Sequence, residues 1–362
     1  MFLNNSEISG IKLGNTSVSK IFLGENLVFG STSIPEIQGT LWAWGGNYNG
    51  ELGDGTYNDL ANPTQIGNSN WTHIQAGDST SVAIKSDGSL WSWGENYYGF
   101  ILANGSEEPE NSNIPIQLSN AQWKNISVGS RYAAIKNDDT LWLWGHGPDM
   151  QNPSSISQLV GSTWKSVSCG KSAVQILGIK PDNTLWAWGS NPNGAMGLGS
   201  TDSTVSPTQV GSSTWTDIAT GYKQSIGIQT DGTLWQWGLI NTVSNIPQLK
   251  DSGSWSQISA GYNHCAAIKS DGTLWMLGDN NNKQINSTTN NKYASLVQIG
   301  TSTWKYVACG SVFTVGIRTD GTLWAWGYVN ANNQINMTQI GNDNTWVKAA
   351  CGYYHTLLIK SE

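Results

Sequence analysis

Thr40-Leu41-Trp42-Ala43-Trp44-Gly45 decides the fold, because the chain repeats it. Counted at the leucine, copies of T-L-W-x-W-G stand at Leu41, Leu90, Leu141, Leu185, Leu234, Leu274 and Leu323, 40 to 51 residues apart. A second motif, W-x-x-I/V-x-x-G or close to it, starts at Trp71, Trp123, Trp164, Trp215, Trp255, Trp304 and Trp346. A third, typically G-x-x-x-x-x-x-I-K, follows each and leads into the next T-L-W. The first motif holds thirteen of the 20 tryptophans, its sixth copy reading Leu274-Trp275-Met276-Leu277, and the second holds the other seven. Tryptophan here serves the repeat.

Each motif reads as a β-strand. In Leu41-Trp42-Ala43-Trp44 the indoles at i and i+2 share one face, with Leu41 and Ala43 on the other. Both faces are apolar, as in a sheet packed on both sides. Asp87-Gly88, Asp231-Gly232, Asp271-Gly272 and Asp320-Gly321 supply the positive φ of tight hairpin turns. Several strands in a period of about 46 residues, without helical spacing, specify blades of a β-propeller. A buried Trp removes ~150–250 Å² from water, roughly 4–6 kcal/mol gross at ~25 cal/mol/Å². Tryptophan at every junction would therefore bind blade to blade.

The chain ends point the same way. Ile359-Lys360-Ser361-Glu362 matches Ile268-Lys269-Ser270-Asp271, which continues Gly272-Thr273-Leu274-Trp275; Gly39-Thr40-Leu41-Trp42 is the same continuation. The expectation is an all-β fold: a seven-bladed β-propeller over residues 39–362, closed by pairing N- and C-terminal strands so that no sheet edge stays free.

Charge excludes some functions. Charged residues are 12% of the chain, about half the usual ~25%, and the net charge is −7 with two arginines, Arg131 and Arg318. Nucleic-acid binding needs clustered Lys/Arg and is not expected. No apolar run approaches the ~20 residues of a membrane span, so no membrane insertion is expected, and MFLNNSEISG lacks the pattern of a secretory signal. Cys169, Cys265, Cys309 and Cys351 show no ligand spacing. Three precede a Gly where other copies carry Ala, Val or Thr, which reads as small buried residues.

The combined unit resembles the repeat of the regulator-of-chromosome-condensation family, G-x-x-H-T-x-A-L followed by D-G-x-L-x-x-W-G-x-N-x-x-G-Q-L-G. Gly352-Tyr353-Tyr354-His355-Thr356 and Gly261-Tyr262-Asn263-His264 carry the first half. Trp44-Gly45-Gly46-Asn47-Tyr48-Asn49-Gly50-Glu51-Leu52-Gly53 and Trp188-Gly189-Ser190-Asn191-Pro192-Asn193-Gly194 carry the second, which copies three and five lack. The resemblance implies the seven-bladed fold, and the absence of a Trp-Asp dipeptide disfavours a WD repeat. It does not carry one activity with it. Members exchange guanine nucleotide and bind chromatin, sense ultraviolet-B light, or inhibit β-lactamases as secreted binding discs. The light sensor's key tryptophans are replaced here by Asp78, Ser130, Lys171, Tyr222, Tyr262, Ser311 and Tyr353.

Residues 1–30 carry a smaller repeat, Ile11-Lys12-Leu13-Gly14-Asn15 aligning with Ile21-Phe22-Leu23-Gly24-Glu25 and Val18 with Val28. The alternation reads as short β-hairpins, and residues 31–38 (STSIPEIQ) as a linker. Such an arm is below the ~40 residues that sustain a core alone. It is expected to anchor the protein on copies of itself or on other proteins, through Ile11, Leu13, Val18, Ile21, Leu23 and Val28, the alternative being a hairpin that merely packs on the propeller. It is similar to I-x-L-G-N-x-x-V segments in structural and tail proteins of tailed bacteriophages.

No catalytic set, cofactor or metal site is expected, so the protein reads as non-enzymatic. His264 and His355 occupy a repeat position held elsewhere by Thr80, Gln224 and Phe313, which argues for a structural hydrogen bond. Gly45-Gly46-Asn47 and Gly53-Asp54-Gly55 lack the lysine or spaced carboxylates of phosphate and calcium loops. Two surfaces are candidates for binding. By the resemblance, Arg131, Tyr132, Tyr222, Lys223, Tyr262, Asn263, Tyr353 and Tyr354 gather on one face of the ring, either as a hot spot or as packing around the central channel. The long loop of the second blade offers Tyr97, Tyr98 and Phe100 beside Glu107, Glu108 and Glu110, a set suited to sugar or to solvent.

Two functions fit. One is a virion component of a bacteriophage tail or fibre, assembled through residues 1–30 with other virion proteins or itself, whose loops contact a host-surface glycan or protein. The other is a stand-alone bacterial protein-binding propeller, an adaptor or enzyme inhibitor, secreted or cytoplasmic.

Overall fold

The computed structural model describes residues 38–96, 111–145, 155–171, 174–239, 243–286, 292–330 and 333–361, together with short strands between residues 12 and 30. The chain divides into two compact parts, Met1–Ile37 and Gln38–Glu362. In the first, Lys12–Leu13 pairs with Thr16–Ser17 and Lys20–Leu23 pairs with Asn26–Gly30, both antiparallel. Leu13, Ile21, Leu23 and Val28 lie on these strands, while Ile11 and Val18 fall outside the described residues.

The second part is built of antiparallel four-stranded units. Trp346–Cys351, His355–Lys360, Gly39–Gly45 and the start of Leu60–Ala76 make the first unit, so the last strands of the chain pair with the first of this part. His355 faces Gly45 and Ile359 faces Leu41 in that pairing. The rest of Leu60–Ala76 begins the second unit with Thr80–Lys85, Leu90–Glu95 and Asn111–Ser119. Trp123–Val128, Arg131–Lys136, Thr140–Gly145 and Ser157–Thr163 form the third. Ser166–Cys169, Ile176–Ile179, Thr184–Gly189 and the start of Thr204–Thr220 form the fourth. The fifth takes the rest of that strand, Gln224–Gln229, Leu234–Leu239 and Val243–Asp251. Trp255–Ala260, His264–Lys269, Thr273–Gly278 and the start of Tyr293–Cys309 form the sixth. The remainder of Tyr293–Cys309, with Phe313–Arg318, Leu323–Asn330 and Asn333–Gln339, forms the seventh.

Among the described residues the apolar cores lie between neighbouring units. Leu41 and Ala43 of the first unit pack with Trp71 and Trp93 of the second. Ile84 and Leu90 meet Trp123 and Trp144, and Ile135 and Leu141 meet Trp164 and Trp188. Ile179 and Leu185 meet Trp215 and Trp237, and Ile228 and Leu234 meet Trp255 and Leu277. Ile268 and Leu274 meet Trp304 and Trp326, and Ile317 and Leu323 of the seventh unit meet Trp346 and Trp44 of the first. The second Trp of each T-L-W-x-W and the Trp of the second motif are therefore the buried cement, each 5% exposed or less.

The first Trp of each copy stays half-buried, and in six of the seven a polar relay fixes it, Trp42 having only the bond to Thr40. Trp186 Nε1 donates to Thr184 Oγ1 at 2.8 Å, and Thr184 donates to Asp182 Oδ1 at 2.7 Å. Ser89, Thr140, Thr233, Thr273 and Thr322 repeat this link between an Asp and an indole. The glycines after these aspartates take φ of 84° to 86° at Gly88, Gly232, Gly272 and Gly321. Asp139 and Asn183 hold the same left-handed turn at φ 68° and 66°, a conformation Asn and Asp tolerate better than most residues.

Candidate interaction face

Inner strands of neighbouring units converge at the glycine that ends each second motif. A Cβ on Gly221 would lie 2.3 Å from the carbonyl oxygen of Gly261, and one on Gly352 would lie 2.4 Å from that of Gly77. Only glycine lets the units approach this closely. The next residue then bonds across the junction through its backbone. Ser130 N–H donates to Gly170 O, Tyr222 to Tyr262 O, Tyr262 to Gly310 O, Ser311 to Gly352 O and Tyr353 to Asp78 O, at 3.1–3.3 Å. The side chains that follow these glycines are thereby collected at one end of the inner strands.

Four of the expected residues form one aromatic run there. The rings of Tyr222 and Tyr262 stack at 4.3 Å and 18°. Tyr262 meets Tyr353 edge-on at 6.2 Å, and Tyr353 meets Tyr354 at 4.5 Å and 75°. The seventh unit, between those of Tyr262 and Tyr353, carries the small Ser311 at the register of the two tyrosines. All four tyrosines are half-buried. Lys223 Nζ lies 4.8 Å from the centre of the Tyr222 ring, and Asn263 is half-buried at the same turn as Tyr262. Burial, and then Tyr353, raises the pKa of Tyr354.

Arg131 and Tyr132 do not belong to this face. Arg131 is 0% exposed and Tyr132 5%. The Tyr132 ring stacks on Trp144 at 5.4 Å, and its hydroxyl is 3.0 Å from that of Thr80 in the second unit. The cause is one missing residue: a single Ser130 separates Gly129 from the next strand, where Asp78 and Ser79 follow Gly77. Arg131 thus takes the strand position of Thr80, Gln224, His264 and His355, opposite the Gly that closes the first motif. Tyr97, Tyr98 and Phe100 lie outside the described residues.

Sequence reasoning missed the groups beside and beneath the run. Asp78 accepts the Tyr353 N–H through its carbonyl, and its carboxylate adds to burial in raising the pKa of Glu95. Lys171 reaches across the centre, donating from Nζ to the carbonyl oxygens of Cys309 at 2.5 Å and Cys351 at 2.9 Å. Burial depresses its pKa. Below it the inner strands enclose a channel of about 320 Å³, where burial pushes Asp217 up to about 6. The second-motif register was the available signal, since it places Asn125, Ser166, Asp217, Gln257 and Tyr306 at one position of successive copies.

Other expected features serve the scaffold. The four cysteines are buried and unbridged, and burial raises Cys169, Cys309 and Cys351 to between about 11 and about 12, leaving them as thiols at neutral pH. His264 and His355 are 0% exposed and staple one unit to the next: His264 Nε2 lies 2.9 Å from Thr314 Oγ1, and His355 Nε2 lies 3.1 Å from Ser81 Oγ. At the same position Gln175 and Gln224 also reach the next unit, donating instead to the backbone carbonyls Gly221 O and Gly261 O.

Comparison with known proteins bears on the repeat and the scaffold. Two sequence profiles for the regulator of chromosome condensation (RCC1) repeat match, one at residues 38–84 and 182–228, the other at 71–99, 255–284 and 304–334. The mitochondrial RCC1 domain-containing protein RUG3 of Arabidopsis thaliana is 30% identical over 122 residues, a stretch that is 32% of this chain and 26% of that protein. Among solved structures, human WBSCR16 is 16% identical with a TM-score of 0.78, covering 89% of this chain and 100% of its own. Prp20p of Saccharomyces cerevisiae, whose structure was described with its binding to Gsp1p and histones, is 17% identical with a TM-score of 0.78, covering 89% of this chain and 91% of its own. This chain therefore carries repeats of the regulator-of-chromosome-condensation type on an all-β, propeller-type scaffold.

Proposed function

We propose that residues 39–362 close into a ring of seven blades that acts as a non-enzymatic protein-binding module, its partner meeting the tyrosine run. The observation that carries this reading is the continuous Tyr222–Tyr262–Tyr353–Tyr354 contact at one end of the inner strands, flanked by Lys223. Tyrosine offers large contact area, a polar tip and few rotamers to immobilise, which is why binding hot spots are rich in it. Ring closure is supported by the pairing of His355–Lys360 with Gly39–Gly45 and by the cluster joining the seventh unit to the first. Prp20p gives a protein of this fold with protein partners. The virion reading rests on residues 1–30 and on low charge with abundant Asn, Ser, Thr and Gly; the repeats shared with RUG3 and the fold shared with Prp20p favour the stand-alone binding module, which takes precedence.

Affinity capture from the source cells tests this, comparing wild type with a Tyr222→Ser, Tyr262→Ser, Tyr353→Ser triple variant. A captured partner is then purified and titrated calorimetrically. We expect the triple variant to keep its fold and lose at least about tenfold in affinity, roughly 1.4 kcal/mol. Equal affinity would remove the tyrosine run from the reading; no partner on either form would remove protein binding itself.

A further inference from the structure

The third motif ends in I-K, and that lysine has a place in every unit that keeps it. Lys85 Nζ lies 3.6 Å from the centre of the Trp91 ring, Lys136 3.7 Å from Trp142 and Lys180 3.6 Å from Trp186. Lys269 is 4.8 Å from Trp275, Lys360 4.7 Å from Trp42, and the Arg318 guanidinium 3.6 Å from Trp324. Each cation also lies 5.0–5.5 Å from the Trp that opens its unit's inner strand. Six units thus fill a slot between two indoles with a cation of their own. In the fifth unit the residue in that register, opposite Trp215, is Gln229.

The indoles of the fifth unit are nonetheless set for a cation. Trp215 and Trp235 sit 6.4 Å apart at 71°, as Trp71 and Trp91 sit 6.1 Å apart at 79° and Trp123 and Trp142 6.2 Å apart at 80°. Trp235 Nε1 donates to Thr233, and Thr233 to Asp231, as in the other units. Asp87, Asp138, Asp182, Asp271 and Asp320 each have their own unit's Lys or Arg helping to hold the carboxylate charged; Asp231 has hydrogen bonds from Thr233 and no such cation.

Space is present as well. A pocket of about 370 Å³ is lined by Trp215, Trp235 and Gln229 with Leu198, Ile246 and Pro247. Its apolar wall suits a methylene stem and its indoles the charged head, the division by which lysine side chains bury themselves. Beside it the outer strand Val243–Asp251 exposes Val243, Ile246 and Leu249 to 53%, 49% and 52%, an apolar rim for the chain that carries the lysine. Trp215 opens the strand whose far end leads to Tyr222, so this pocket and the tyrosine run lie at opposite ends of one inner strand.

We propose that the Trp215–Trp235 slot is a binding site for one lysine side chain of a partner polypeptide, which takes the place that Lys85, Lys136, Lys180, Lys269 and Lys360 hold in their own units. The inference is independent of the tyrosine run. A lysine is favoured as occupant because five of the six filled slots hold one.

The test uses n-butylammonium as the probe, with n-butanol and sodium chloride as references, read on the indole N–H resonances of the full chain. Trp235→Phe assigns the Trp235 signal. We expect saturable shifts of the Trp215 and Trp235 signals with a Kd on the order of 0.1 M, about fivefold tighter than with n-butanol. Gln229→Lys should supply the missing cation, abolish those shifts and raise the melting temperature. Signals unmoved by n-butylammonium, or moved equally by n-butanol, overturn the proposal whether or not the variant folds. So does a folded Gln229→Lys protein that still responds.

Discussion

His355 Nε2 lies 3.1 Å from Ser81 Oγ, a hydrogen bond between residues 274 apart in sequence. Ser81 already donates its one hydroxyl proton to Glu51 O at 2.7 Å, so the histidine must donate from Nε2. Nδ1 is then a neutral acceptor with no partner among the described residues, and a proton placed there would be buried without an acceptor. Burial accordingly depresses the His355 pKa from 6.5 to about 3. The folded protein refuses a proton that the unfolded chain accepts, so stability present above pH 6.5 is lost as pH falls toward 3. His355→Gln copies the fifth unit, where Gln224 reaches the next unit by a different bond, from Nε2 to Gly261 O. It should cost about 1 kcal/mol at pH 7 and be the more stable protein below about pH 5. Denaturant unfolding at a series of pH values checks this; a gap that does not change with pH would refute it.

Ending the chain at residue 344 removes Trp346–Cys351 and His355–Lys360, the inner partners of Gly39–Gly45. It also uncovers Trp44, which packs with Ile317 and Leu323 of the seventh unit. If the units depend on closure for their cores, the truncated protein should show no cooperative unfolding transition by calorimetry. A sharp transition near the full-length temperature would mean that each unit stands on its neighbours without the ring.

The tryptophans made the scaffold legible, because a repeated apolar i, i+2 pair needs two buried faces whatever surrounds it. Tyr222, Tyr262 and Tyr353 were legible for a related reason, since each directly follows a glycine at one register of the repeat, and Tyr354 stands one residue further on. Arg131 and Tyr132 misled because burial depends on register, and one residue fewer after Gly129 moved both into the strand. Lys171 could not be read at all: its partners are carbonyls 138 and 180 residues away. Gln229 was visible as the one uncharged residue in the I-K register, where the seventh unit has Arg318, but its meaning required knowing that the cation of each other unit lies over two indoles.

Glu51 is 6% exposed, and burial raises its pKa to about 7. Its Oε2 accepts the N–H of Asn49 at 2.7 Å, as Gln284 Oε1 accepts that of Asn282 at 2.9 Å in the sixth unit. The folded chain keeps this proton up to about pH 7, whereas the unfolded chain releases it near pH 4.5. Stability therefore declines as pH rises through that window, and the full cost is present above it. Glu51→Gln keeps the hydrogen bond and removes the buried charge. It should stabilise the protein by on the order of 2 kcal/mol above pH 7, with the difference vanishing below pH 4.5. Melting curves across pH 4 to 8 decide it, and an equal effect at both ends would exclude the carboxylate as the cause.

Lys180→Gln would turn the fourth unit into a copy of the fifth. The ammonium 3.6 Å from the centre of Trp186 and 5.5 Å from that of Trp164 is lost, while the relay from Asp182 through Thr184 to Trp186 stays in place. A half-exposed cation over an indole is worth about 0.5–1 kcal/mol, and the variant should be destabilised by that amount. Removing the neighbouring positive charge should also bring the Asp182 carboxyl closer to its ordinary pKa, since Lys180 helps to depress it. The same change should make the Trp186 indole signal respond to n-butylammonium, which in the wild type finds that slot filled. Stability unchanged within error would show that the lysine is only a lid. A Trp186 signal indifferent to the probe would show that two indoles at this spacing do not suffice to hold a free ammonium, and that the wall of Leu198, Ile246 and Pro247 is what distinguishes the fifth unit.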